Sequence, residues 1–316
     1  MTYQIGIVKA FTKCGLQTLG NPAGILVTGT QLPDQEMSRI AVEAAQPITS
    51  FLVPRNSDMT DFDLRYYDLG GRECHICGHA TVAATQFLLN IKKYPDNTTF
   101  KFHLNPTLFN GEEKTLKTRN RDNKIEIDLF PSLLREETDP ALYKKVSEVL
   151  GIELHEINSI AFSTNVRDYV VGLKSSTTLI SMKPDFDAMK AMAEGADYSH
   201  EGLMVAAPAP KESGHDLYVR VFLPITGVNE DIACGSGNCS IVPYWFNKGM
   251  NTDSRTYKAI FPFPEGPDGY IGGIQTVTYS PEEARITIIS EAEQEPFITV
   301  TGAADKKNEP CANYIR

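Results

Sequence analysis

Hydrophobic positions along the chain follow two periods. Phe62, Leu64 and Tyr66 alternate with polar neighbours, as do Ile125, Ile127 and Leu129 between Lys124, Glu126 and Asp128, and the stretch 272–300 alternates throughout. Period-two alternation puts every second side chain on one face and predicts half-buried strands. The runs 5–11 and 23–28 flank the turn residues Gly20-Asn21-Pro22, which predicts an opening hairpin. Met37, Ile40, Ala41 and Ala44 have helical spacing, with Asp34 placed to cap the helix and Pro47 to end it. A second helix opens at Asp139-Pro140, with Asp139 at the cap and Pro140 in the first turn, and runs to about Leu150; a third covers 186–193. Further strands are predicted at 50–53, 159–162, 169–173, 203–206 and 217–223.

Each half of the chain thus reads as strands, helix, strands, and then a helix opened by Cys-Gly. Cys77-Gly78-His79-Ala80-Thr81 leads into one such helix and Cys234-Gly235-Ser236-Gly237-Asn238 into the other. The segment 63–67 before the first phrase parallels 216–222 before the second. The repeat, roughly 120–150 residues long, is too long for a solenoid and predicts two similar α+β domains facing each other across a cleft. We place the boundary near Thr118, giving domains 1–118 and 119–299, with 300–316 available to complete the first. Pro243 interrupts the second Cys-Gly helix and is expected to remove one of its hydrogen bonds.

Composition narrows the function. With 316 residues, 41% of them hydrophobic, the chain can bury a core of its own, and a net charge of −10 argues against a nucleic-acid surface. No basic segment followed by an apolar run opens the sequence, and no apolar stretch approaches the ~18 residues of a membrane span, so a cytoplasmic protein without a membrane partner is expected. Six cysteines are too few for a disulfide scaffold in a chain of this length. Cys74-His75-Ile76-Cys77 could be a redox pair or half of a zinc site, but Cys234 and Cys239 are spaced more widely and no paired histidines follow. Phosphate-binding and dinucleotide-binding glycine motifs are absent, so neither a cofactor nor a metal is expected.

A cysteine at a helix start sits beside unpaired N–H groups and the positive end of the helix dipole, which favours a thiolate usable as a base. The same N–H groups hold carboxylates, and Gly78 and Gly235 allow close approach. Two such helix ends suit one reaction: removal of the proton α to a carboxylate by one thiolate and its replacement from the opposite face by the other thiol. Donors aimed at the carboxylate as it gains charge contribute about 3–4 kcal/mol each. A small-molecule carboxylate is the expected substrate, with an amino acid the expected class. Oligomeric state stays open, a homodimer included. Cys14, Cys74, Cys239 and Cys311 are read as structural thiols.

These phrases resemble the phenazine biosynthesis PhzF-like proteins, which are similar in fold to diaminopimelate epimerase and proline racemase. Gly20-Asn21-Pro22-Ala23-Gly24, Cys77-Gly78-His79-Ala80-Thr81, Phe162-Ser163-Thr164-Asn165-Val166-Arg167-Asp168 and Glu230-Asp231 through Ser236 carry the likeness. It implies an α+β fold of two similar domains, each a curved, mostly antiparallel sheet around a central helix. It also implies that Asn21, His79, Asn165, Asp231 and Ser236 line the site, although His79 also reads as a core histidine and Asp231 as a helix cap. The single acid/base glutamate that the family carries in an S-E-T segment aligns with Ile48, and the Glu-Arg pair specific to diaminopimelate is not reproduced, since Asp231 follows Glu230. With both thiols of the racemase pattern present, Cys77 and Cys234 are expected to be base and acid of a cofactor-independent racemase or epimerase. A PhzF-like isomerase of an unsaturated carboxylic acid and a redox-sensing carboxylate binder are the rivals.

Overall fold

The computed structural model describes residues 2–301 except 165, 252, 265 and 268. Two compact units result, one from 2–14, 20–128 and 289–301, the other from 15–19 and 129–288. Each is described by itself.

In the first unit the order is β1 (Thr2–Thr12), β2 (Asn21–Val27), α1 (Asp34–Ala44), β3 (Ile48–Pro54), β4 (Asp61–Asp68), β5 (Glu73–Cys74), α2 (Gly78–Ile91), β6 (Thr99–Leu104), β7 (Thr115–Arg121) and β8 (Lys124–Leu129). β1 and β2 form the expected antiparallel hairpin, with Gly6 opposite Ile25 and Ala10 opposite Asn21. β2–β3 and β4–β6 are parallel; β3–β4, β4–β5, β6–β7 and β7–β8 are antiparallel. Thr118 lies in mid-β7, opposite Phe100 on one side and Ile127 on the other. Its backbone is therefore tied into two ladders, and the unit continues past it to Asp128 rather than ending there.

α2 packs against β1, β2, β3 and β7. It is buried from Gly78 to Thr85 and at Phe87 and Leu88, the all-round burial expected of a helix enclosed by a sheet. Fully burying side chains such as Val82 and Leu88 contributes about 1.5–3 kcal/mol each. Its threonines are satisfied internally: Thr81 donates to the Cys77 carbonyl (2.7 Å), and Thr85 to the Thr81 carbonyl (2.9 Å). Gly6 admits the Phe87 ring, since a Cβ there would lie 2.2 Å from a ring carbon. α1 packs with Met37, Ile40 and Ala41 among Tyr3, Ile5, Leu26 and Phe51. It starts one residue earlier than expected: Pro33 is the cap position, and the Asp34 carboxylate instead accepts from Arg65 (2.7 Å). Ala45, with φ of 52°, ends it before Pro47 is reached.

The second unit contains β9 (Leu134–Glu137), α3 (Pro140–Leu150), β10 (Ile157–Ser163), β11 (Asp168–Leu173), α4 (Ser176–Ser181), α5 (Phe186–Glu194), β12 (Gly202–Pro208), β13 (Leu217–Leu223), β14 (Val228–Asp231), α6 (Asn238–Asn247), β15 (Thr256–Phe261) and β16 (Gly273–Ser280). From β10 onward the pairing repeats that of the first unit from β1 onward. β10–β11 is antiparallel, β11–β12 parallel, β12–β13 and β13–β14 antiparallel, β13–β15 parallel and β15–β16 antiparallel. α6 takes the place of α2 and packs against β9, β11, β12 and β16. Asp139 caps α3 through Ala141 N–H (2.9 Å), with Pro140 in its first turn, as the sequence predicts. A last strand, β17 (Arg285–Thr301), pairs antiparallel with β1 and also joins β8, closing the first unit's strands into a ring around α2. The expected completion of the first unit by 300–316 falls almost wholly outside the described residues.

Pro243 lies within α6 without ending it. A proline has no N–H to give the carbonyl four residues back, and that carbonyl, of Cys239, accepts from Ser132 N–H instead (2.8 Å). Ser132 and Ser240 also join hydroxyl to hydroxyl at 2.7 Å, so the proline position anchors the chain entering the unit. Among the described residues no helix is long and apolar enough to cross a membrane.

Candidate active site

Both Cys-Gly phrases lead into a buried helix, but only the first cysteine sits at the helix start. Cys77 is the cap residue of α2 in extended conformation, and its carbonyl takes Thr81 N–H (3.1 Å). No side chain caps the helix start, which leaves its first N–H groups suited to an anion. The Cys77 sulfur lies 3.2 Å from His79 Nδ1, and both residues are buried. Burial lowers the His79 pKa to about 4, so the ring is neutral at pH 7. With its proton assigned to Nδ1, the neutral ring donates to the sulfur and so supports a thiolate there. His79 is thus neither a separate core histidine nor a distant lining residue; it touches the sulfur.

In the second unit a turn precedes the helix: the Gly235 carbonyl accepts from Asn238 N–H (3.2 Å), and α6 begins only at Asn238 after the Gly237 cap. Cys234 therefore stands three residues before the Gly237 cap of α6, whereas Cys77 is itself the cap of α2, and the expected helix-start position holds only for Cys77. Its sulfur accepts from Gly237 N–H (3.4 Å) and lies 3.4 Å from the Ser236 hydroxyl. The expected acidic thiol is not found here. Burial pushes Cys234 well above the ordinary thiol range, and the Asp231 carboxylate, hydrogen-bonded to the thiol, adds to that shift. Desolvation exceeds what Ser236 and the Gly237 N–H return, so Cys234 is held as a thiol. Asp231 does not cap α6; it accepts from Ala233 N–H (3.2 Å) within the turn.

Strand register makes the two half-sites comparable residue by residue. Tyr66 on β4 faces Cys74 on β5, and Val221 on β13 faces Asp231 on β14. Cys74 precedes Cys77 by as much as Asp231 precedes Cys234, and His79 stands where Ser236 stands. By register, therefore, Cys74 and His79 in the first unit correspond to Asp231 and Ser236 in the second. Burial and Asp68 raise Cys74 to about 12, and burial and Asp168 raise Cys239 to about 12, in keeping with structural roles. Cys14 is exposed, and Cys311 lies outside the described residues.

Asn21 is buried as the first residue of β2, and Asn165 lies outside the described residues. Ile48 begins β3 between Ala23 and Asp68, and an alkyl chain there can carry no proton. Two features escaped the sequence reading. Asp168, the first residue of β11, is buried beside Gly202, and desolvation with Glu201 raises its pKa to about 8. Arg65–Glu73 and Arg220–Glu230 are bidentate ion pairs on equivalent strands. Asp168 sits in a plain strand start, and neither pair is adjacent in sequence, so only the register reveals them.

Comparison with known proteins agrees with this fold. The PhzC-PhzF family profile, described as phenazine biosynthesis-like protein, matches residues 8–266. An uncharacterized isomerase of Vibrio cholerae is 30% identical over 235 residues, covering 74% of this chain and 72% of the relative. Another from Halalkalibacterium halodurans is 28% identical over 259 residues, covering 82% and 88%. Among solved structures, a PhzF family protein from Enterococcus faecalis superposes with a TM-score of 0.72 at 26% identity, over 95% of this chain and all (100%) of its own. A hydroxyproline epimerase from Agrobacterium vitis shares the fold, with a TM-score of 0.59 at 13% identity, over 96% of this chain and 94% of its own. The chain belongs to the phenazine biosynthesis-like family. Within that family it is an isomerase.

Proposed function

We propose that this isomerase is a cofactor-independent racemase or epimerase that moves a proton at the carbon α to a carboxylate, most simply on an amino acid. The supporting observation is the chemical asymmetry of the two thiols. Cys234 is held protonated by burial and Asp231, which suits it to deliver a proton. Cys77 has a thiol, Cys74, where Cys234 has that carboxylate, and its sulfur lies against a neutral imidazole at an uncapped helix start. In the forward step the α C–H bond breaks, its proton passes to the Cys77 thiolate, and the electron pair moves into the carboxylate. The Cys234 S–H then protonates the opposite face, leaving Cys234 as the thiolate. The reverse step exchanges the roles.

The test is incubation of reduced enzyme with a panel of amino acids in heavy water, followed at the α carbon. Deuterium incorporation with inversion, lost in both Cys77→Ser and Cys234→Ser, is the expected result; a panel without exchange overturns the reading. Family membership and the retained His79 and Asp231 favour one other reading, an isomerase of an unsaturated carboxylic acid. Full activity on such an acid in both serine variants would establish it instead.

A further inference from the structure

Glu230 and Asp231 are neighbours on the short strand β14, so their side chains leave opposite faces. Asp231 serves the thiol. Glu230 is taken by Arg220, whose Nε and Nη2 reach its two oxygens at 2.7 and 2.8 Å. The third arm of the fork is held as well: Arg220 Nη1 donates to the carbonyls of Leu179 and Met182 at 3.2 Å each, and the guanidinium lies 5.1 Å from the Phe222 ring. Side-chain exposure is 1% for Arg220 and 7% for Glu230. A buried ion pair is weak evidence for stability, because the cost of removing two charges from water offsets their attraction. Something other than net stability therefore accounts for this one.

The first unit repeats the arrangement. Arg65 Nε reaches Glu73 at 2.6 Å, its Nη2 pairs with the second oxygen, and its guanidinium lies 5.6 Å from the Tyr67 ring, the counterpart of Phe222. Glu73 precedes Cys74 as Glu230 precedes Asp231. In both units the clamped glutamate lies on the strand that runs into the thiol's helix.

We propose that Arg220 and Glu230 are positioning residues that orient Asp231 onto the Cys234 thiol, and that Arg65 and Glu73 do the same for the Cys74–Cys77 segment. This rests on Cys234 acting as the acid, but it can be read without turnover. The groups that face the Cys234 sulfur are the Asp231 carboxylate, the Ser236 hydroxyl and the Gly237 N–H, with Met204 and Val221 apolar beside Gly237. Only Asp231 bears a charge among these. Releasing β14 should therefore free the thiol to ionise at lower pH.

The experiment replaces the pair by apolar residues of similar size, Arg220→Met with Glu230→Leu, and follows alkylation of Cys234 by iodoacetamide against pH, resolved by peptide mass spectrometry. The midpoint is expected to move to lower pH, as in Asp231→Asn, while Arg65→Met with Glu73→Leu leaves it unchanged. On a substrate found by the exchange panel, kcat is expected to fall roughly 100-fold with KM nearly constant, the scale of a small misplacement. A folded double variant alkylated with the wild-type pH dependence overturns the proposal. Should the double variant not fold, Glu230→Gln is measured in the same way; if that fails to fold too, the pair is a structural brace and the proposal falls. Loss of activity in none of the cysteine variants would refute the racemase reading and leave the alkylation result standing.

Discussion

Asp231 occupies in the second unit the register position that Cys74 holds in the first: each faces the same strand position, Val221 or Tyr66, and each lies three residues before the cysteine of its Cys-Gly phrase. The repeat thus puts a carboxylate in one half-site where the other has a thiol. This difference separates the two half-sites chemically.

Asp231→Asn removes the negative charge and keeps the shape. Burial, the larger cause of the shift, remains, so Cys234 should stay above the ordinary thiol range yet ionise at lower pH than in the wild type. Alkylation of Cys234 at fixed pH should accelerate. An unchanged rate would mean that Asp231 does not hold the thiol's proton.

Two buried groups give stability opposite dependences on pH. His79 titrates near 4 when folded, so between about 6.5 and 4 the unfolded chain binds more protons and stability falls with acid, by about 3 kcal/mol in full. His79→Gln should remove that loss, seen as a smaller difference between urea midpoints at pH 7.5 and pH 4.5. Equal differences in variant and wild type would show that His79 titrates normally.

Asp168 titrates near 8 when folded, so the folded chain binds the extra proton from about pH 4 upward. Its contribution is complete below the unfolded value of ~3.9 and is lost as pH rises through 8. Asp168→Asn should therefore be stabilising at pH 9 and nearly neutral at pH 4. Thermal melts at the two values decide it; a variant destabilised at pH 9 would mean that Asp168 is ionised and paired.

How much of this was visible in the sequence differs by level. The strands around Ile127 and Leu64 and the helices at Met37 and Pro140 followed from period and punctuation, because one face of each is buried and the other is not. α4 was missed, since Ser176-Thr177-Thr178 has no apolar period and only the Ser175 side chain, accepting from Thr177 N–H (3.1 Å), marks its start. The domain boundary failed at Thr118 because polar residues there pair as β7 between two strands. The two thiols stood out in the sequence through their matching phrases, but the ionisation of Cys234 depends on burial and on Asp231, which local sequence cannot weigh. The two ion pairs needed the register itself.

Below Cys77 a buried relay is testable by its non-additivity. Tyr66 OH and Thr81 Oγ1 lie 2.6 Å apart, and Thr81 donates to the Cys77 carbonyl, so Tyr66 must be the donor to Thr81. Thr81→Val leaves the fully buried Tyr66 hydroxyl without its acceptor, at a cost of about 1–3 kcal/mol. Tyr66→Phe added to it removes the stranded hydroxyl and should recover part of that loss in urea unfolding. Strictly additive losses would mean that the hydroxyl finds another partner.

The enclosure of α2 makes its tightest contact a test of the fold. Gly6 on β1 has no room for a Cβ, because the Phe87 ring carbon would lie 2.2 Å away. Gly6→Ala must push Phe87 from its rotamer or move α2 within the strands, which typically costs about 1–3 kcal/mol. Because α2 starts at Cys77, a displaced helix would also disturb the thiol, so alkylation of Cys77 should change along with the melting temperature. Phe87→Leu in the same chain shortens the side chain that meets the new methyl, and should restore both. If Gly6→Ala alone is as stable as the wild type, α2 is not gripped at this point and the close packing around it is wrong.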